Sequence, residues 1–198
     1  MATTMEDPMR NTLMLGFAAM LAISISGLAL AAGGGNGGGT SGGGTSGGGN
    51  GGESPTANDC KKGEVWDKKK KKCVKVESGV LPDKELYKQG RALAKEGNYD
   101  WAIEVLAAIG NQNDPHVLNY IGYSNRKAGR LEIGITFYRK ALAIDPDFVL
   151  AREYLGEGYV AAGRIDLAKA ELAEIAKRCG KTCEEYKDLS KAIATAVN

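Results

Sequence analysis

Residues 115–148, PHVLNYIGYSNRKAGRLEIGITFYRKALAIDPDF, and residues 149–182, VLAREYLGEGYVAAGRIDLAKAELAEIAKRCGKT, are two copies of one 34-residue pattern. Gly122 and Gly156 align, and the landmarks travel with them. In the first copy Leu118 and Ile121 precede Gly122, and Gly129-Arg130-Leu131, Tyr138, Ala141 and Pro146 follow. In the second, Arg152 and Leu155 precede Gly156, and Tyr159, Gly163-Arg164-Ile165, Ala168, Leu172 and Ile175 follow. Upstream lies a shorter unit of 32 residues: Leu86, Gly90, Leu93, Gly97-Asn98-Tyr99, Ala102, Leu106 and Ile109. Self-similarity at a period of this size marks a stack of helix–turn–helix units that bury a continuous core against each other.

The local chemistry agrees. A glycine inside a helix costs about 1 kcal/mol against alanine, so Gly90, Gly122 and Gly156 imply a neighbouring helix at close range. Ala102, Gly134 and Ala168 are the small residues expected across that contact. Gly97, Gly129 and Gly163 each end a first helix as left-handed C-caps, and Asn98-Tyr99, Arg130-Leu131 and Arg164-Ile165 open the second. Pro115 and Pro146 stand where a new first helix begins, proline being tolerated in a first turn. Tyr186, Leu189, Ile193 and Val197 recur at helical spacing, so residues 183–198 supply a capping helix. Glu184, Glu185, Lys187, Asp188 and Lys191 face elsewhere on it.

With its 34-residue period and these turn positions, the chain resembles the tetratricopeptide repeat over residues 83 to about 182. The resemblance implies an all-α solenoid of seven helices: repeats at 83–114, 115–148 and 149–182, then the cap. It also implies a protein-binding groove lined by the first helices. The groove positions are Lys84, Tyr87, Arg91 and Lys95; then His116, Asn119, Tyr123, Arg126 and Lys127; then Leu150, Glu153, Glu157 and Val160. They run from basic and aromatic to acidic and apolar, suiting an extended peptide held in one direction, its acidic part near Arg91 and Arg126. Position by position, the bland alternative is a solvated helix face. The family's carboxylate-holding subclass has lysine, asparagine and arginine where this chain has Tyr87, Arg91, Tyr120, Leu150 and Tyr154, so that clamp is not expected. Arg126 should sit on the surface, its reversal to Glu altering stability by no more than about 0.5 kcal/mol.

The first third differs in composition. Leu13 to Ala32 are apolar but for Ser24, Ser26 and small residues, and Ala29-Leu30-Ala31 gives a cleavage signature. Residues 1–31 read as a secretory signal peptide, with an uncleaved membrane anchor as the alternative. Glu6 and Asp7 disfavour a start at Met1, and Met9-Arg10-Asn11 makes a better one. Residues 32–58 are a disordered linker, Gly33 to Gly52 holding 14 of the chain's 28 glycines and nothing that builds a core. Export leads to a periplasmic or secreted protein.

Residues 59–77 form a small basic module. Cys60 and Cys73 pair in an oxidising compartment, and Val65-Trp66 with Val74-Lys75-Val76 form a hairpin turning at Lys68, Lys69, Lys70, Lys71 and Lys72. Between Cys60 and Val76, eight lysines against Glu64 and Asp67 give a charge of +6, hidden in a whole-chain value of +2. Such a patch beside Trp66 suits an anionic envelope polymer or lipid surface; the alternative is a solubilising turn. Nucleic acid is a poor candidate for an exported chain. The tether and module carry no packing residue in this reading, so deleting Gly33 to Lys75 should leave the helical domain's stability nearly unchanged.

Cys179-Gly-Lys-Thr-Cys183 has one residue too many for a thioredoxin-type motif and no histidine for haem attachment. It reads as a structural disulfide clip setting the angle of the cap. One histidine, His116, excludes a zinc site of several histidines, and nucleophile, metalloprotease and dinucleotide motifs are absent. No cofactor or metal is expected. The chain reads as a non-catalytic protein–protein interaction scaffold, with an envelope tether through the Cys60–Cys73 module as the alternative.

Overall fold

A computed structural model describes residues 57–197. The signal-peptide reading lies outside these residues, as does the linker reading except for residues 57 and 58, where Ala57 is buried in a 3₁₀ turn. From Ala57 the chain makes one 3₁₀ turn (Ala57–Asp59), then strands β1 (Glu64–Asp67) and β2 (Lys72–Lys75). Seven helices follow: α1 (Asp83–Lys95), α2 (Tyr99–Ala107), α3 (Pro115–Lys127), α4 (Leu131–Ile144), α5 (Val149–Ala161), α6 (Ile165–Cys179) and α7 (Glu184–Ala196). They pair as α1·α2, α3·α4 and α5·α6, with α7 covering the last pair.

All three turns are closed by the same device. Gly97, Gly129 and Gly163 have φ of +89°, +84° and +70°, a region that costs a residue with a Cβ. The amide just beyond each glycine then donates back across the helix end: Asn98 to the Leu93 carbonyl (2.9 Å), Arg130 to Asn125 (2.9 Å) and Arg164 to Tyr159 (2.8 Å). This is the Schellman arrangement. The turn arginines also reach back one unit, Arg130 to Asp100 at 2.8 Å and Arg164 to Glu132 at 2.7 Å. Pro115 opens α3 behind Asp114, whose carboxylate accepts from the His116 amide at 2.8 Å. Pro146, in contrast, precedes the Phe148 cap of α5 and lies in the connection instead of the first turn.

The close approach expected of the helical glycines is clearest in the middle unit. A Cβ on Gly134 would lie 2.9 Å from the Gly122 carbonyl oxygen and 2.9 Å from the Arg126 Cβ, and a Cβ on Gly122 would meet the Tyr138 ring at 2.8 Å. Gly90 instead faces Leu106 and Val105 of α2, and Gly156 faces Leu189 of α7. The third glycine therefore seats the cap, not Ala168. Gly134→Ala is expected to lose about 1–2 kcal/mol net, overpacking against backbone exceeding alanine's helix advantage. Urea unfolding of the variant checks this; a gain in stability would show that α3 and α4 have room to part.

Three apolar clusters form the core, the smallest being Leu118, Ala141 and Ala151. The second gathers Ile135, Tyr138, Leu155, Tyr159, Ile175, Leu189 and Ile193 from α4 to α7; Val197, expected to line the cap, is 59% exposed. The first joins Leu86, Leu93, Val105, Leu106 and Val117 with Val65 and Ala57 from before α1. The hairpin is part of the folded body.

Its register sets Trp66 opposite Cys73, and the Cys60–Cys73 bridge closes its base (S–S 2.04 Å). Gln89 of α1 accepts from the Trp66 amide at 2.8 Å and donates to the Trp66 carbonyl at 3.0 Å, so a buried side chain continues the sheet's ladder. The Trp101 indole donates to the Glu64 carbonyl at 3.1 Å. Val65 is fully buried, which contradicts the expectation of a module without packing residues. The hairpin covers the exposed end of the first repeat, as terminal units of a stack must. At the other end Cys179, the last residue of α6, is bridged to Cys183, the N-cap of α7.

Candidate protein-binding groove

α1, α3, α5 and α7, the first helix of each pair, are in contact in that order. Aromatic rings join three of them. Tyr87 of α1 meets His116 and Tyr120 of α3, with centroids 6.3 and 5.9 Å apart. Tyr120 meets Tyr123, which meets Tyr154 of α5 at 5.2 Å. His116 stacks edge-on against Phe148 at 4.6 Å. Arg91 donates to the Tyr120 hydroxyl at 2.8 Å. Burial, reinforced by Tyr120 and opposed by Arg91, pushes the Tyr87 phenol up to about 12.

Of the groove positions read from sequence, Lys84, Arg91, Lys95, His116 and Lys127 are exposed, and Tyr87, Tyr123, Leu150 and Val160 half-buried. Three depart from expectation. Arg126 is no surface cation: its side chain is 10% exposed, pairs with Glu157, donates to the Tyr138 hydroxyl at 3.2 Å and lies over the rings of Tyr123 and Tyr154. The basic and acidic halves are thus joined at their boundary by an internal ion pair. Asn119 is fully buried, and neither its amide nitrogen nor its oxygen has a hydrogen-bond partner among the described residues. Glu153 is 6% exposed. Tyr138 and Phe148 escaped notice as contributors to this face. The first sits on a second helix and the second in a connection, so no first-helix spacing could have shown them.

Burial raises the Glu153 carboxyl to about 8, and Glu157, Asp188 and Glu185 push the same way while Arg126 opposes them. The native state therefore keeps a proton that the unfolded chain, at about 4.5, has lost. Stability should fall as pH rises between those values, and Glu153→Gln should flatten the fall. Urea midpoints from pH 4 to 9 test the sign; parallel curves for both proteins would show that Glu153 titrates normally.

The lysine turn is less charged than its composition. Lys68 pairs with Glu85 and Lys70 with Asp67, each at 3.3 Å. Lys69, Lys71 and Lys72 are exposed and have no ion pair among the described residues.

No family model matches the chain, and no curated protein matches it in sequence. Solved structures match it in shape. One is the first TPR of Spaghetti (RPAP3) bound to the HSP90 peptide SRMEEVD, with 15% identity, TM-score 0.52, and coverage of 62% of this chain and 98% of that one. Another is the TPR2B domain of yeast Sti1 in complex with pHsp70, at 14% identity and TM-score 0.53, covering 58% and 95%. A third is the Yersinia enterocolitica type III secretion translocator chaperone SycD, at 17% and 0.50, covering 58% and 82%. Helix pairing, the repeated glycine turn and these neighbours agree: residues 83–196 have the tetratricopeptide-repeat fold.

Proposed function

We propose that this chain is an exported, non-catalytic scaffold whose first-helix face recruits a protein or peptide partner in the cell envelope. Asn119 carries the reading. A buried amide left unpaired costs about 1–3 kcal/mol per group, and this one offers a donor and an acceptor side by side. Asn119 is sealed from solvent in the unbound chain, so a peptide group from an extended partner satisfies both atoms only when the first-helix face opens on binding. It lies one turn from His116, which meets Tyr87, and one from Tyr123, which meets Tyr154. Solved proteins of the same fold hold an HSP90 peptide and pHsp70. All four cysteines are bridged, which supports an oxidising compartment.

Asn119→Leu separates function from fold. It removes two unpaired polar atoms at similar volume, so stability should hold or rise. Photo-crosslinking in intact cells from Lys84, an exposed position beside Tyr87 and His116, should lose its partner in this variant. Equal capture by both proteins would remove Asn119 from the interface.

The unpaired Lys69, Lys71 and Lys72 favour a second reading, an electrostatic tether to an anionic polymer or lipid. Retention on phosphatidylglycerol vesicles at low salt, lost when the three become glutamine, would support it; no retention at low salt would leave a solubilising turn.

A further inference from the structure

Between the hairpin turn and the start of α1 opens a cavity of about 330 Å³. Its apolar lining is Trp66 of β1 with Val80, Leu81 and Pro82 of the segment that leads into α1. The Trp66 main chain is held by the Gln89 side chain and by Cys73 across the ladder, so the ring is carried on a fixed backbone. That ring is half-buried, and its indole N–H meets no acceptor among the described residues, whereas the Glu64 carbonyl takes that of Trp101. The polar lining carries both signs. Asp67 accepts from the Lys69 and Lys70 amides at 2.9 and 3.1 Å and pairs with the Lys70 ammonium, which fixes the turn. Glu85, half-buried, pairs with Lys68. Lys69 also lines the cavity, and it is exposed with no ion pair among the described residues.

Resting on the tether reading above, we propose that this cavity binds an acidic saccharide, one uronate ring of an anionic polysaccharide. A sugar ring presents a face of C–H groups, which suits the negative face of an indole. Its hydroxyls both donate and accept, so they use a carboxylate acceptor such as Glu85 and a donor such as the indole N–H. Its carboxylate needs a cation without a partner of its own, and Lys69 is that cation. The volume agrees: the cavity lies at the small end of ligand sites, with room for a single ring and not for the acyl chains of a lipid. Charge alone does not single out this place. Lys71 and Lys72 are exposed on the same turn with no ion pair among the described residues, but neither lines the cavity. The site is the point at which an unpaired lysine and an unpaired indole donor meet an apolar lining.

The test titrates the full chain, labelled for backbone amide NMR, with tetragalacturonate, its neutral methyl ester, tetraglutamate (matching carboxylates without a sugar ring) and phosphatidylglycerol vesicles. Saturable shifts confined to residues 66–70 and 80–85 with tetragalacturonate alone, at physiological salt where exposed charges are screened, are the expected result. Trp66→Leu should weaken that binding by about tenfold or more. Lys69→Gln should weaken it by about threefold, and serves if the tryptophan variant does not fold, since Lys69 is exposed and unpaired. Lys72→Gln, outside the cavity, should change it less. Equal binding of the methyl ester overturns the acidic class. Equal binding of tetraglutamate, equal losses from Lys69→Gln and Lys72→Gln, or full affinity in Trp66→Leu each sink the saccharide site and leave a purely electrostatic tether standing. Vesicle binding without tetragalacturonate binding sinks the site and assigns the tether to lipid. No binding of any of these anions at low salt sinks both.

Discussion

Deleting residues 33–75 is expected to lower the thermal unfolding midpoint of the helical domain by about 15 °C. The sequence reading expected almost no change, because a glycine tether and a lysine-rich loop contain little that packs. The deletion removes Ala57 and Val65, both buried, and the partly buried Cys60 and Val74 of the same cluster. Uncovering these residues and the α1 and α2 surfaces they meet forfeits about 4 kcal/mol at ordinary transfer values, at about 4 °C for each kcal/mol in a domain of this size. Gln89 also loses both its hydrogen bonds to Trp66, and the Trp101 indole loses its acceptor. Calorimetry of the deleted and full chains decides the matter; midpoints within about 3 °C would mean the hairpin rests on the first repeat without stabilising it.

Arg126→Glu is the second large effect. Read as a groove cation, Arg126 should tolerate reversal at about 0.5 kcal/mol or less. In the structure the substitution leaves Glu157 facing a new carboxylate, removes the donor to Tyr138 and takes the guanidinium off the rings of Tyr123 and Tyr154. Breaking a buried pair costs about 3–5 kcal/mol, and the partial exposure of Glu157 points to the lower figure. Lys169→Glu, at an exposed position of α6, is the control and should change little. Equal urea midpoints for the two variants would return Arg126 to the surface. Loss of partner binding in Arg126→Glu is therefore evidence about the groove only after its fold has been measured.

The sequence by itself determined the repeat. Its glycines fix the left-handed turns at Gly97, Gly129 and Gly163, because that backbone region excludes most other residues, and the 34-residue spacing fixes how many units stack. Both cysteine pairings were legible too, since each pair is close in sequence. The resemblance to the repeat family also placed Tyr87, Asn119, Tyr123 and Glu153 on first helices, where they are found. Tertiary structure alone decided what those side chains meet. Whether Arg126 is a surface cation or a buried one depends on Glu157, 31 residues away, and on Tyr138 from the second helix. Whether the hairpin is a free module or the end cap depends on Gln89 and Trp101, which read locally as ordinary helix residues. Local spacing specifies backbone conformation, because that is set within a few residues. Burial, pairing and the proton on Glu153 are set by elements far apart in the chain, and only folding brings them together.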